Sequence, residues 1–132
     1  MGFSLARKSG ARRRAYTGYL RSGAWAWRRT RWFRDCRAAG AEPACQVCGT
    51  TLAVAGTLDL HHTSYDGVYI NDDGSYRAEE PDTDLLPYCR EHHQDLHRIL
   101  DERRGDYWGW NRRRATAVVT RILTRKHHQR TP

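Results

Sequence analysis

CQVCGTTLAVAGTLDLHHTSYDGVY (residues 45–69) and DLLPYCREHHQDLH (84–97), joined by an acidic insert, hold nearly every side chain of this chain that can bind a metal or move a proton. Cys45 and Cys48 are separated by two residues, and so are Cys89 and His92, the interval at which two side chains share one ion. Three thiolates and one imidazole suit tetrahedral zinc with no position left for water, so Cys45, Cys48, Cys89 and His92 are expected to form a closed, structural site. His61, His93 and His97 offer neutral nitrogens to a second ion. His62 stays unliganded in this reading and can accept a proton near neutral pH.

The local signals agree with this division. Cys45-Gln-Val-Cys48-Gly49 reads as a knuckle, a tight turn whose backbone N–H groups face the thiolates while Gly49 lets the chain curl back. A redox CxxC would need a helix starting at the motif, whereas Gly49-Thr50-Thr51 signals a turn. Residues 57–61 alternate as a strand does, which sends His61 and His62 to opposite faces. The Asp- and Glu-rich stretch 66–84 reads as a loop with a short hairpin through Val68–Ile70 and Tyr76; Asp72-Asp73-Gly74 lacks the spacing of an EF-hand calcium loop. Residues 84–88 are extended, with Pro87 marking an edge, and a helix is expected over 90–104 with Leu96, Ile99 and Leu100 as its apolar stripe. On that helix His93 and His97, four apart, point the same way.

Upstream, residues 1–14 carry a Gly and Arg cluster without apolar periodicity and are expected to be a flexible basic arm. A single helix is expected from Tyr16 to about Ala39, its aromatics mostly in the core and Arg28, Arg29 and Arg31 interleaved among them. Cys36 is expected as a buried thiol without a metal partner. Downstream, Gly105 ends the 90–104 helix, and Asn111 caps a last helix with Ala115, Val118, Val119, Ile122 and Leu123 on one face and Arg112, Arg113 and Arg114 among the basic residues opposite. His127 and His128 lie at its frayed end, with no chemistry expected of them.

At 132 residues the chain fits one folding domain with a limited core, which a structural metal would reinforce. Hydrophobic residues are 39% and charged residues 29%, and no long apolar run offers a membrane span. The start, MGFSLARKSG, lacks the apolar core of an export signal. A reduced, cytoplasmic setting is therefore expected, in which the four cysteines bind metal rather than form disulfides. The net charge of +8 conceals a segregation: residues 1–34 contribute +10, residues 35–102 contribute −10 and residues 103–132 contribute +8. Basic flanks around an acidic, metal-rich middle suit a polyanion held at its phosphates while cations sit at the centre, so nucleic acid is the expected partner. Arginine outnumbers lysine 21 to 2, and its planar fork can grip phosphate bidentately.

With those residues in place, Cys45-x-x-Cys48-Gly49, then Leu58-Asp-Leu-His61-His62-Thr-Ser-Tyr65, then Asp84-Leu-Leu-Pro-Tyr-Cys89-x-x-His92-His93-x-x-x-His97 together resemble the HNH endonucleases in their zinc-knuckle-bearing form. The likeness covers roughly residues 16–100. It implies an α+β protein with a small ββα-metal core, flanked by N-terminal and C-terminal helices: a nuclease domain over 15–104 and a basic helical extension over 105–132. It further implies cleavage of phosphodiester bonds in DNA, most naturally double-stranded, with His62 as general base and a divalent ion, Mg²⁺ or Mn²⁺ and by extension Ni²⁺, on His61, His93 and His97. Asp84 matches the asparagine that orients the base in the family, and as a carboxylate it can still accept a bond from an imidazole N–H. Arg28, Arg29, Arg31, Arg112, Arg113 and Arg114 are the expected phosphate contacts. The alternatives are a zinc-stabilised nucleic-acid-binding module without catalysis and a ribonuclease.

Overall fold

A computed structural model describes residues 3–4 and 10–130, with side chains from Arg14 onward. In chain order the elements are β1 (Phe3–Ser4), α1 (Gly10–Leu20), α2 (Gly23–Ala38), α3 (Leu52–Ala55), β2 (Asp59–His62), β3 (Val68–Ile70), β4 (Tyr76–Ala78), β5 (Leu85–Tyr88), α4 (Arg90–Glu102) and α5 (Arg112–Arg130). This is an α+β protein with two small sheets among the described residues, ordered β1-β3-β4 and β2-β5. The chain divides into two compact units, Met1–Ala41 with Ser64–Leu85 and Glu42–Thr63 with Leu86–Pro132.

The first unit packs two helices with the β1-β3-β4 sheet. Most of the expected basic arm lies outside the described residues, but helix α1 starts at Gly10 rather than beyond residue 14. The single helix expected over 16–39 is in fact two. Ser22 ends the first by donating its hydroxyl to the Tyr19 carbonyl at 2.6 Å and caps the second by accepting the Trp25 N–H at 3.2 Å. A serine side chain competes with the backbone for these groups and so favours a helix boundary over a helix interior. The acidic stretch contains the expected hairpin, β3 and β4 pairing antiparallel from Val68↔Ala78 to Ile70↔Tyr76. Beside it Gly67 is pressed against the chain: a Cβ there would lie 2.4 Å from Glu80 Cα, so only glycine fits.

Tyr19, Trp25, Phe33 and Val68 are buried in this unit, the core role expected of most aromatics. Arg28 corrects its expected role. It is 1% exposed, donating through Nη2 to the Glu80 carbonyl at 2.8 Å and to Asp82 Oδ1 at 2.6 Å. Glu80 is equally buried and accepts the Tyr19 hydroxyl at 2.7 Å. An arginine so enclosed holds the acidic loop to α2 and has no face for phosphate. Arg31, by contrast, lies 4.7 Å over the exposed Trp27 ring, and Arg29 lies 4.9 Å over Phe33. Cys36 is only half-buried, its thiol donating to the Ala41 carbonyl at 3.5 Å, a looser setting than the buried one expected.

The second unit is built around the β2-β5 sheet, α4 and α5. Its core joins Cys45 and Val47 of the knuckle, Tyr88 of β5, Leu96 and Ile99 of α4, and Val119 and Leu123 of α5. Helix α5 is therefore a wall of this unit and not an appended extension over 105–132. The expected cap is present, Asn111 Oδ1 accepting the Arg114 N–H at 2.8 Å. Short helix α3 was not foreseen; Thr51 caps it by accepting the Val54 N–H at 3.2 Å, and Gly56 closes it at φ 79°.

Candidate metal centre

The knuckle is shaped by its own backbone. Gly49 takes φ 74°, the left-handed region that favours glycine, and its N–H donates to the Cys45 carbonyl at 2.9 Å. The turn aims the Val47 N–H at Cys45 Sγ, 3.4 Å away, while the Gln46 N–H donates to the Pro87 carbonyl at 3.0 Å and ties the knuckle to β5. Cys89 then occupies the N-cap of α4, and the first helical turn carries His92 back over it. His92 Nδ1 lies 3.2 Å from Cys89 Sγ and 3.7 Å from Cys45 Sγ. A sulfur and a nitrogen on one tetrahedral zinc stand about 3.6 Å apart, given bonds of about 2.3 and 2.1 Å. All four ligand atoms of Cys45, Cys48, Cys89 and His92 lie within 4.8 Å of one another, so the cluster could hold a metal ion such as zinc.

The electrostatics point the same way. Burial works against the Cys45 thiolate, yet N–H groups of Cys48, Cys89 and Val47 bring its pKa below the ordinary thiol value. Burial and the neighbouring Cys45 and Cys48 push Cys89 upward. Three thiolates so close repel one another, and a cation is what lets all of them ionise.

The second set also assembles. His61 on β2 and His93 and His97 on α4 bring ligand nitrogens within 4.8 Å of one another. His93 and His97 are one helical turn apart, and their Nε2 atoms face each other at 3.0 Å. Two imidazole nitrogens on one ion stand about 3.0–3.4 Å apart. The His93 ring is fixed from behind: its Nδ1 lies 3.0 Å from Asp59 Oδ2, and Asp59 is held in turn by Arg90 Nε at 2.9 Å and Arg90 Nη2 at 3.2 Å. Asp59 turns the ring so that Nε2 faces the centre. It was missed in the sequence, although its position two before His61 on a strand places both on one face.

His61 is 1% exposed and its Nε2 lies 3.0 Å from the Thr116 hydroxyl, while its Nδ1 is buried without a hydrogen-bond partner. Burial, reinforced by the Arg112 charge and the neighbouring histidines, holds its pKa well below the usual imidazole value. His97 is lowered to about 4 by desolvation, with His93 and Arg112 adding to it. Both rings are thus neutral at pH 7, the form that binds metal.

His62 is buried beside His61 on the same strand, and its carbonyl accepts a short hydrogen bond from Arg112 Nε. His62 is the last residue of β2, and its charge is felt at His61. Asp84, also buried, ends a short 3₁₀ turn in the first unit, whereas His62 belongs to the second. Arg112, Arg113 and Arg114 sit exposed on the first turn of α5, with Arg114 stacked 3.7 Å over Trp110. His127, for which no role was expected, packs its ring edge-on to His92 at 5.6 Å. No protein-family model, curated protein or solved structure matches the chain.

Proposed function

We propose that the second unit is an HNH-type nuclease centre, a ββα-metal arrangement of β2, β5 and α4 that hydrolyses phosphodiester bonds of DNA. The observation that carries this reading is the convergence of His61, His93 and His97, with the first two rings hydrogen-bonded through one nitrogen each to Thr116 and Asp59. A bound divalent ion would supply charge neutralisation at the phosphate and a more acidic water. Three imidazoles without a carboxylate suit Mn²⁺ or Ni²⁺ better than Mg²⁺, which prefers oxygen donors.

The chain's own residues do the remaining work. His62 takes the proton of the attacking water, its backbone held by Arg112. Arg112, whose charge is felt at both His61 and His97, supplies a fixed positive group for the phosphate. Arg113 and Arg114 on α5, and Arg29 and Arg31 on α2, hold the nucleic-acid backbone, and Arg28 leaves that set. The test is cleavage of supercoiled plasmid with Mn²⁺, Ni²⁺ or Mg²⁺ by the zinc-loaded protein and by His62→Ala. Cleavage is expected to disappear in the variant; unchanged cleavage would sink the assignment. Parallel assays on RNA distinguish a ribonuclease.

A second reading, a zinc-stabilised nucleic-acid-binding module, is favoured by the near-complete burial of His62 and by Asp84 at the position where the resemblance expects asparagine. Salt-sensitive binding with no hydrolysis under any of these ions would establish it instead.

A further inference from the structure

We propose that Thr116, on α5, is a positioning residue for the His61 metal ligand: its hydroxyl oxygen accepts the Nε2–H of His61 and thereby turns the Nδ1 lone pair toward the ion. The inference rests on the three-histidine centre proposed above and adds to it a residue from outside the β2, β5 and α4 elements.

The observations are geometric. Thr116 Oγ1 and His61 Nε2 are 3.0 Å apart, and the two residues are 0% and 1% exposed, so bulk water does not compete for the contact. A neutral imidazole carries one donor and one acceptor nitrogen. Were Thr116 the donor, His61 would carry its hydrogen on Nδ1, leaving a buried N–H with no acceptor, an arrangement folded proteins avoid. With Nε2–H donating to Thr116, the partnerless Nδ1 becomes a lone pair available to a cation. Asp59 plays the corresponding part for His93 through the opposite nitrogen, so the two rings present Nδ1 and Nε2 respectively.

Thr116 is itself anchored. Thr120 Oγ1 donates to the Thr116 carbonyl at 2.7 Å, and the Tyr88 hydroxyl lies 2.7 Å from Thr120 Oγ1. Since the one hydrogen of Thr120 is engaged with the carbonyl, Tyr88 is the donor in that contact. One threonine stripe of α5 thus meets β2 through His61 and β5 through Tyr88. A neutral hydroxyl, unlike the Asp59 carboxylate, orients its imidazole without adding negative charge behind it.

The test uses the full chain loaded with zinc at the cysteine site and titrated with Co²⁺, followed by visible absorption and calorimetry. Wild type is expected to take up one further ion, Thr116→Val to bind it about 10- to 100-fold more weakly, and Thr116→Ser to stay within about threefold of wild type. Zinc content should be equal in all three. Wild-type affinity in Thr116→Val, or Thr116→Ser as weak as Thr116→Val, overturns the positioning role and leaves the three-histidine centre standing. Failure of the wild type to take up a further ion overturns both. Should Thr116→Val not fold, nitrogen NMR of the wild-type imidazoles decides the matter: His61 protonated on Nε2 supports the role, and His61 protonated on Nδ1 overturns it.

Discussion

Arg28 and Arg31 show how differently two residues of one helix can use the same charge. Arg28 is enclosed with Glu80, so Arg28→Ala leaves a buried carboxylate without its cation and is expected to cost about 3–5 kcal/mol. Arg31→Ala removes a group stacked on an exposed ring and should leave the melting temperature nearly unchanged while weakening DNA binding. Thermal unfolding beside a binding titration separates the two, and equal loss of stability in both variants would contradict this division. His97 provides a pH test. Its folded pKa of about 4 lies below the unfolded value of about 6.5, so the unfolded chain binds more protons between those limits. The stability His97 contributes is complete above pH 6.5 and is lost as pH falls toward 4. Denaturant midpoints of the protein free of any ion at the histidines should fall less steeply across that window in His97→Gln. An identical slope would count against a neutral, desolvated His97.

The knuckle and helix α5 depend on one another through the core of the second unit. Cys45 and Val47 lie in the same apolar cluster as Val119 and Leu123, so the knuckle and α5 share one packing arrangement, which an ion on the cysteines would reinforce. Replacing Cys89 by serine removes a thiolate from the site while leaving a residue able to cap α4, and should release zinc together with the helical signal of α4 and α5 that depends on it. Zinc stoichiometry and far-ultraviolet circular dichroism measure both; a zinc-free Cys89→Ser with full helicity would show that the ion is dispensable to the fold. Deleting residues 111–132 uncovers Leu96 and Ile99 as well as removing Thr116, and is expected to leave a chain that aggregates rather than a smaller folded nuclease.

For the molecule as a whole, the two units are held by different means. The first closes on an aromatic core with a buried Arg28–Glu80 pair, the second on an apolar cluster beside two groups of side chains that could hold metal ions. A zinc chelator should therefore lower the stability of the second unit directly, and the signal of Trp110, packed against Tyr107, should report this ahead of those of Trp25 and Trp32. At this scale the basic flanks are the surface that the proposed nucleic-acid partner would meet. Binding to DNA through several arginines should weaken linearly in log–log form as salt rises, with a slope near −0.9 for each phosphate neutralised. A flat salt dependence would remove nucleic acid as the partner.

The sequence by itself was enough to group the side chains of both clusters that could hold an ion, because Cys-x-x-Cys, Cys-x-x-His and a histidine pair four apart on a helix are local spacings that the backbone converts directly into shared faces. It also revealed the β3-β4 hairpin, the Asn111 cap and the apolar face of α5. The break at Ser22 was legible too, as a capping residue before Gly23, but a continuous aromatic pattern concealed it. Only the tertiary structure decided that Arg28 is an internal tie, that α5 belongs to the core, and that Asp59 and Thr116 stand behind His93 and His61. The roles of Asp59, Arg28 and Thr116 rest on hydrogen bonds between residues 34 to 55 positions apart. Neither an arginine nor a threonine carries in its own neighbourhood any sign of which distant group it will meet.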